Sequence, residues 1–462
     1  MVKYSVVRSA VDLIAISTAS SAARAITQYV FRGATHSVVL ALALSCCISC
    51  RNGNEKLVDP LFADSLIDHY TLPAAVASNE QEIRFWSSRI DPKNPGMINE
   101  SRYAATLVAR FHLLGDIRDV KKADSILRKV DTLFNHKEAG PNLSLVGISI
   151  LQHRFTEADS FLIKAKAIGL KRYEWLCSLF DVSFETGRYD NALIAVNQLK
   201  ADADYGYYFR RAKMDHLNGS LDSSIGAMLK AAGLAENNPY LRQVALSNAA
   251  DLYIHAGRLK EARDLYMQCV RMNSANFHSI TGLGWIALVN DKNDTLAARL
   301  FQLVKANNKL PDPLFRLSQM AEATGNSLVQ LGYAGGFAEA AASSAYGNMY
   351  NKYLIELYSG IIKEPDLAVL VAKRELDNRA TPQTYAWYAW ALSAAGKKDE
   401  AYKVFQEHVS GKPLEGLELY WMGKLMQQLN KGYNATEFFK AAWKNKYDLS
   451  PGMVKDLEKM DL

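Results

Sequence analysis

A small residue, usually Ala, recurs about every 34 positions along most of this chain. The series is Ala123, Ala158, Ala192, Ser224, Ala262, Ala297, Gln330, Ala368, Ala401 and Ala435, with gaps of 35, 34, 32, 38, 35, 33, 38, 33 and 34. A fixed period of this size marks an array in which each unit is one supersecondary piece. Such a piece covers its apolar face only against its neighbours, so the chain extends as a solenoid. At 462 residues the length alone would allow about three ordinary domains, but the period argues against that division.

The unit Tyr385–Pro413 shows what is repeated. Tyr385, Tyr388 and Leu392 fall three and four residues apart, as on one face of a helix. Gly396 interrupts it. A second helical pattern follows with Ala401, Phe405 and His408 on one face, and Pro413 ends it. Only 12 Pro occur in the chain, which suits a helical array.

These residues resemble the tetratricopeptide repeat (TPR), a helix–turn–helix unit. Aligned on Ala401 as the family's small residue, Tyr385 takes the first aromatic position, Gly396 the inter-helix turn, Phe405 the second aromatic and Pro413 the terminal proline. Ala389 and His408 depart from the pattern. Gly257, Leu259, Ala262 and Tyr266 match in another unit, with Tyr253 in its first helix; so do Gly187 and Tyr189, Gly219 and Leu221, and Gly423, Phe439 and Ala442. Asn430 stands where the last turn glycine belongs. Near Ala297 the register is open by one residue, because Gly284 and Phe301 fit different alignments. The units at Gln330 and Ala368 are weak: one is rich in Gly and Ala, the other carries Pro365. The resemblance implies an all-α TPR-type solenoid of about ten units over residues 100–447. Residues 51–99 then read as a linker and N-terminal capping helix, with a helix over Ala77–Ile90 and a turn at Asp91–Gly96. Residues 448–462 read as a C-terminal polar cap.

The first 50 residues read as an export segment. Residues 37–49 are apolar or small, too short to span a membrane, which takes about 20 residues, and of the length of a signal's hydrophobic region. Arg32 and His36 precede this run, and Cys50 and a polar stretch follow it. An apolar run ending in small residues and a Cys resembles a bacterial lipoprotein signal, which implies acylation of that Cys. Cys50 is the first choice because it abuts the polar stretch, and Cys46 the second; an ordinary cleaved signal or uncleaved anchor is the alternative. Residues 1–35, with Arg8, Arg24 and Arg32 against one acid, Asp12, fit either an organellar transit peptide or a start placed too far upstream, and we expect the latter.

Chemistry is sparse. No phosphate-binding GxxxxGK[ST], HExxH or GxSxG is present, and the nine His show no metal-ligand spacing. Gly332, Gly335 and Gly336 lack the Lys-Ser/Thr of a phosphate loop and read as a bent or loosely packed repeat. Cys47 and Cys50 form a CxxC without a second pair, and Cys269 reads as a packing residue. A net charge of +6 falls short of the basic stripe of a nucleic-acid binder. No cofactor, metal, nucleic acid or small-molecule substrate is expected.

In the TPR family the inner wall comes from the first helices, at positions 18, 15, 11 and 8 residues before the small anchor. On that register Trp390 and Tyr420 face inward and make a candidate peptide-binding pair, with Trp387 in the core. The expectation is a non-catalytic protein–protein interaction scaffold, lipid-anchored in the bacterial cell envelope and facing the periplasm or exterior, with a protein or peptide partner on its concave face. The alternatives are an intracellular TPR regulator and, less favoured, an α/α-toroid enzyme, which needs paired carboxylates facing one cavity.

Overall fold

Each first helix of the array is closed by one residue in the left-handed region: Gly115, His153, Gly187, Gly219, Gly257, Lys292, Gly325, Lys363, Gly396 and Asn430. At six of these turns the next residue donates its amide to a carbonyl five residues back, as Arg258 does to Tyr253 and Lys397 to Leu392. This caps the orphan carbonyls of the helix and reverses the chain at once. The second helix therefore starts beside the first, and ten antiparallel pairs result.

The structure is a computed structural model that describes residues 55–430, 435–460 and 462. The chain divides between Glu55 and Lys56, and the fold described is that of Lys56–Leu462. Cys46, Cys50 and the export segment lie outside the described residues. Two helices come first, α1 (Pro60–Asp68) and α2 (Ala74–Ser87). The pairs follow: α3 (Met97–Leu114) with α4 (Ile117–Leu133), α5 (Ala139–Leu151) with α6 (Phe155–Ile168), α7 (Arg172–Glu185) with α8 (Tyr189–Leu199), α9 (Tyr205–Leu217) with α10 (Leu221–Leu234), and α11 (Pro239–His255) with α12 (Leu259–Met272). The second five are α13 (Phe277–Val289) with α14 (Asp294–Asn307), α15 (Asp312–Ala323) with α16 (Ser327–Ala341), α17 (Asn351–Ser359) with α18 (Pro365–Asn378), α19 (Pro382–Ala394) with α20 (Lys398–Val404), and α21 (Gly416–Leu429) with α22 (Ala435–Lys444). A π-turn at Phe405–Val409 extends α20, and α23 (Pro451–Glu458) ends the chain. Among the described residues there is no strand, and no helix is long and apolar enough to cross a membrane. The expected all-α, TPR-type solenoid of ten helix pairs is what forms.

Eight of the ten anchors have no exposed surface: Ala123, Ala158, Ala192, Ser224, Ala262, Ala297, Ala368 and Ala401. Without a large side chain there, the paired helices approach closely, and the aromatic one turn later fills the gap beside them. Tyr266, Phe301, Phe405 and Phe439 are such aromatics, all buried. Gln330 and Ala435 are half-buried; in the Gln330 unit the close-packed small residue is Ala334, one turn on.

The superhelix winds tightly enough for successive turns to touch. The Leu114 carbonyl accepts from the Lys309 amide at 2.9 Å, joining the first pair to the junction of the sixth and seventh. Asn378 reaches the His153 carbonyl at 2.8 Å, and its own side-chain oxygen accepts from the Phe155 amide at 2.8 Å. One cluster of buried apolar side chains runs from Ile83–Val182 into Phe315–Leu457. Two glycines sit at the seam. A Cβ on Gly115 would lie 2.4 Å from Asn308, and one on Gly347 would lie 2.4 Å from the Gln152 carbonyl. The irregular stretch after α16, including Gly347, is thus where the chain docks against the previous turn.

Both ends differ from the sequence expectation. Residues 56–70 are docked rather than linker: Leu57 and Val58 are buried, and their amides bond the Asp291 carboxylate at 2.8 and 2.9 Å. Pro60 begins α1 and does not interrupt it, because a first-turn residue needs no amide donor. The first capping helix, α2, starts at Ala74, three residues before the expected Ala77. The C-terminal segment is a clasp as well as a cap. Its Gly452 amide bonds Glu322 at 3.0 Å and its Lys455 ammonium bonds the Ala323 carbonyl at 2.7 Å, both in the seventh pair.

Ala401→Leu places three extra carbons in a contact with no exposed surface. Overpacking of this kind costs about 1–3 kcal/mol. We expect a lower melting temperature with helical content retained below the transition; an unchanged melt would show that Ala401 is not the contact point.

Candidate functional site

The winding leaves a chamber of about 1070 Å³. First helices supply most of its wall. Counting 18, 15, 11 and 8 residues back from Ala262 gives Val244, Ser247, Asp251 and Ile254, and all four line the chamber. From Gln330 the first three offsets give Asp312, Phe315 and Gln319, also lining it. From Ala297 and Ala368 the offset of 15 still gives lining residues, Gly282 and Tyr353, but the others are displaced by one, to His278, Thr281 and Trp285 and to Lys352 and Glu356. The cause is local. In these two units the turn spans six residues, Asn293 to Ala287 and Glu364 to Tyr358. This settles the register left open near Ala297: the helix is shifted, while the anchor stays buried.

One side of the chamber, from α3, is mostly apolar, with Ala105, Val108, Ala109 and Leu113. The rest of the wall, from α11, α13, α15 and α17, is dense in polar groups. His278 Nε2 lies 2.9 Å from both Asp251 oxygens, and the Tyr266 hydroxyl donates to Asp251 at 2.5 Å. Tyr350 donates to Asp312 at 2.6 Å. His255 pairs with Asp448 at 2.8 Å. Lys352 bonds Glu418 at 3.2 Å, and Glu418, fully buried, also accepts from the Trp387 indole at 2.6 Å. Arg316 lies 4.5 Å over the Trp285 ring and donates to Gln319 at 2.8 Å.

These surroundings set the protonation states. Asp251 raises His278, and burial works against it. Burial would lower His255, but the hydrogen bond and charge of Asp448 carry it up to about 9. Burial raises Asp312 despite the Tyr350 bond. Burial, then the charge of Glu322, pushes the Glu356 carboxyl up to about 8, against the pull of Lys352 and Arg316. At neutral pH Glu356 is a neutral acid, able to donate a hydrogen bond. Among the described residues no His/Cys/Asp/Glu group is arranged to hold a metal ion.

Trp390 and Tyr420 do not line this chamber. Tyr420 is 8% exposed, its ring against Phe439 and its hydroxyl donated to Asp456 of α23 at 2.7 Å. The chain's own C-terminus thus covers the wall where Tyr420 was expected to meet a partner. Trp390 is half-buried and stacks parallel on buried Trp421, centroids 5.8 Å apart. Trp387 is core, as expected. Gly332 and Gly335 stand on the outer surface of α16 with nothing near their Cβ positions. The sequence reading missed Asp251, His278, Arg316 and Glu356. The signal was present for Asp251, which sits at an inner-wall offset, but not for His278 and Glu356, hidden by the longer turns.

The chamber acids give a pH prediction. With its folded value near 8, Glu356 stays protonated in the folded chain while the unfolded chain ionises above about 4.5. Stability therefore falls as pH rises from about 4.5 to 8. His255 adds to the fall: its contribution is complete below about 6.5 and is lost as pH rises through about 9. Glu356→Gln should melt like wild type near pH 4.5 and progressively above it towards pH 8. Parallel melting profiles would refute the assignment.

No family model matches the chain, and no curated protein matches it. Solved structures similar to it include a tetratricopeptide repeat protein from Parabacteroides merdae ATCC 43184, at 14% identity and a TM-score of 0.32, covering 55% of this chain and 99% of that one. Yeast Tom70 is similar at 12% identity and a TM-score of 0.34, covering 86% and 95%. The P58(IPK) TPR domain is similar at 16% identity and a TM-score of 0.23, covering 80% and 98%.

Proposed function

We propose that this chain is a non-catalytic binding scaffold that holds a protein or peptide partner on the concave side of its helical array. The observation that carries this reading is the convergence of first helices on one chamber whose wall is mostly apolar along α3 and dense in polar groups elsewhere, the composition of a recognition surface. A toroid enzyme needs two free carboxylates across a cavity, whereas of the chamber acids Asp251, Asp312, Asp448 and Glu415 are each held by a Tyr, His or Lys, which leaves Glu356 as a single neutral acid. The sequence of residues 37–50 supports the further reading that the scaffold is exported and acylated at Cys50, so that it works at the bacterial cell envelope, facing the periplasm or exterior.

Two experiments test this. Cys50→Ser should move the protein from the membrane fraction to the soluble fraction of cells; release by Cys46→Ser alone would transfer the acylation site to Cys46, and release by neither would end the lipoprotein reading. Crosslinking in cells, followed by mass spectrometry of the tagged protein, should capture a defined partner. Capture should survive Trp390→Ala with Tyr420→Ala, since both pack internally; loss with that pair would return the contact to the C-terminal units. A chain that captures no partner is not a scaffold.

A further inference from the structure

Arg316, like Arg242, is half-buried without a carboxylate in contact among the described residues, unlike the arginines that hold the array together. Arg110 is fixed by Asp119 and Glu80, Arg154 by Asp124 and Glu157, Arg210 by Asp181, and Arg379 by Glu375 and Glu185. Arg316 also sits in the wall of an internal chamber, yet among the described residues no carboxylate oxygen lies within 4 Å of it. Its fork meets one neutral acceptor, Gln319, and rests on the Trp285 ring. Of the nearby acids, Asp312 accepts from Tyr350 and makes no ion pair with the Arg316 fork, and Glu356 is neutral at pH 7. A half-buried guanidinium with no carboxylate in contact keeps donors open towards the chamber, and an anionic ligand fills them.

We propose that the chamber binds a small molecule bearing a carboxylate on an apolar body, with the carboxylate on the Arg316 fork and the body against the apolar wall of α3. The planar guanidinium presents paired donors that match the two oxygens of a carboxylate. Glu356, protonated, and the Tyr353 hydroxyl stand in the same wall as further donors. Ala105, Val108 and Ala109 give the body an apolar surface, with His112 as the one polar side chain that α3 adds to the lining. A volume of about 1070 Å³ accommodates an organic acid or the last residues of a peptide. The carboxylate is common to both sources. The inference rests on the reading that the chamber binds rather than reacts.

The test is calorimetric titration of the purified full-length chain with matched pairs: 3-phenylpropionate against 3-phenylpropanamide, and a tripeptide ending in phenylalanine against its C-terminal amide. The acid of at least one pair should bind ten-fold or more tightly than its amide, and Arg316→Gln should remove that preference. The pair showing the larger preference identifies the source as free acid or peptide end. Arg316→Lys keeps the charge without the fork and should lower the preference; it decides the matter if Arg316→Gln proves unfolded by circular dichroism. Equal affinity of acid and amide, no binding of any probe, or an undiminished preference in the folded variant overturns the proposal. None of these outcomes touches the scaffold reading, which fails only by the absence of a crosslinked partner.

Discussion

The contact between successive superhelical turns is the constraint on which the rest of this structure depends. A solenoid gains stability from nearest-neighbour stacking and needs no contact between distant units. Here Leu114 meets Lys309, and Asn378 meets His153. These seams convert an open groove into a chamber. They also explain the least regular part of the sequence. The stretch that follows the Gln330 unit docks there, with Gly347 against the Gln152 carbonyl of the previous turn, where a Cβ has no room, whereas Gly332 and Gly335 of the unit itself face open space.

Much of the fold was legible because its determinants are local. In every unit after the first the small anchor and the left-handed turn residue lie five positions apart, and their geometry needs no partner elsewhere. Six of the ten turns carry Gly, and the others place His153, Lys292, Lys363 and Asn430 in the same conformation. That conformation costs a side chain of this kind about 1 kcal/mol or more, which tertiary packing outweighs. Where the two Lys residues occur, the turn is one residue longer. A one-residue insertion rotates the preceding helix by about 100° relative to a fixed count, so counting back from the anchor still meets the chamber at Gly282 and Tyr353 but passes over His278, Trp285, Lys352 and Glu356. This is why His278 and Glu356 were invisible while Val244, Ser247 and Asp251 were not.

The ends of the array were illegible for a different reason. Whether residues 56–70 are tether or structure depends on Asp291, more than 200 positions away, whose carboxylate gathers the Leu57 and Val58 amides. Nothing in the local sequence encodes that partner. The fate of Tyr420 is the same case in reverse. The count assigns it to the inner wall, but its hydroxyl and the Lys424 ammonium both bond Asp456 of α23. Periodicity assigns a side chain to a wall; only the full chain decides whether that wall is open.

The chamber itself poses an energetic question that the helical array does not. Buried ion pairs are weak contributors to stability, because desolvation offsets most of the attraction, and apolar replacement is often neutral or favourable. An array selected for stability alone would fill its axis with Leu and Phe, as the cluster from Ile83 to Leu457 does at the seams. The axis instead holds His278 on Asp251, His255 on Asp448 and Lys352 on Glu418. These pairs fix side-chain direction around an open space without drawing the walls together. His278 keeps 59% of its side-chain surface despite its place inside the superhelix. Groups that are oriented, hydrogen-bonded and still accessible are already aimed, so a ligand that complements them loses little in ordering them. On that ground the polar lining belongs to recognition, and the seams between turns are what keep it in place.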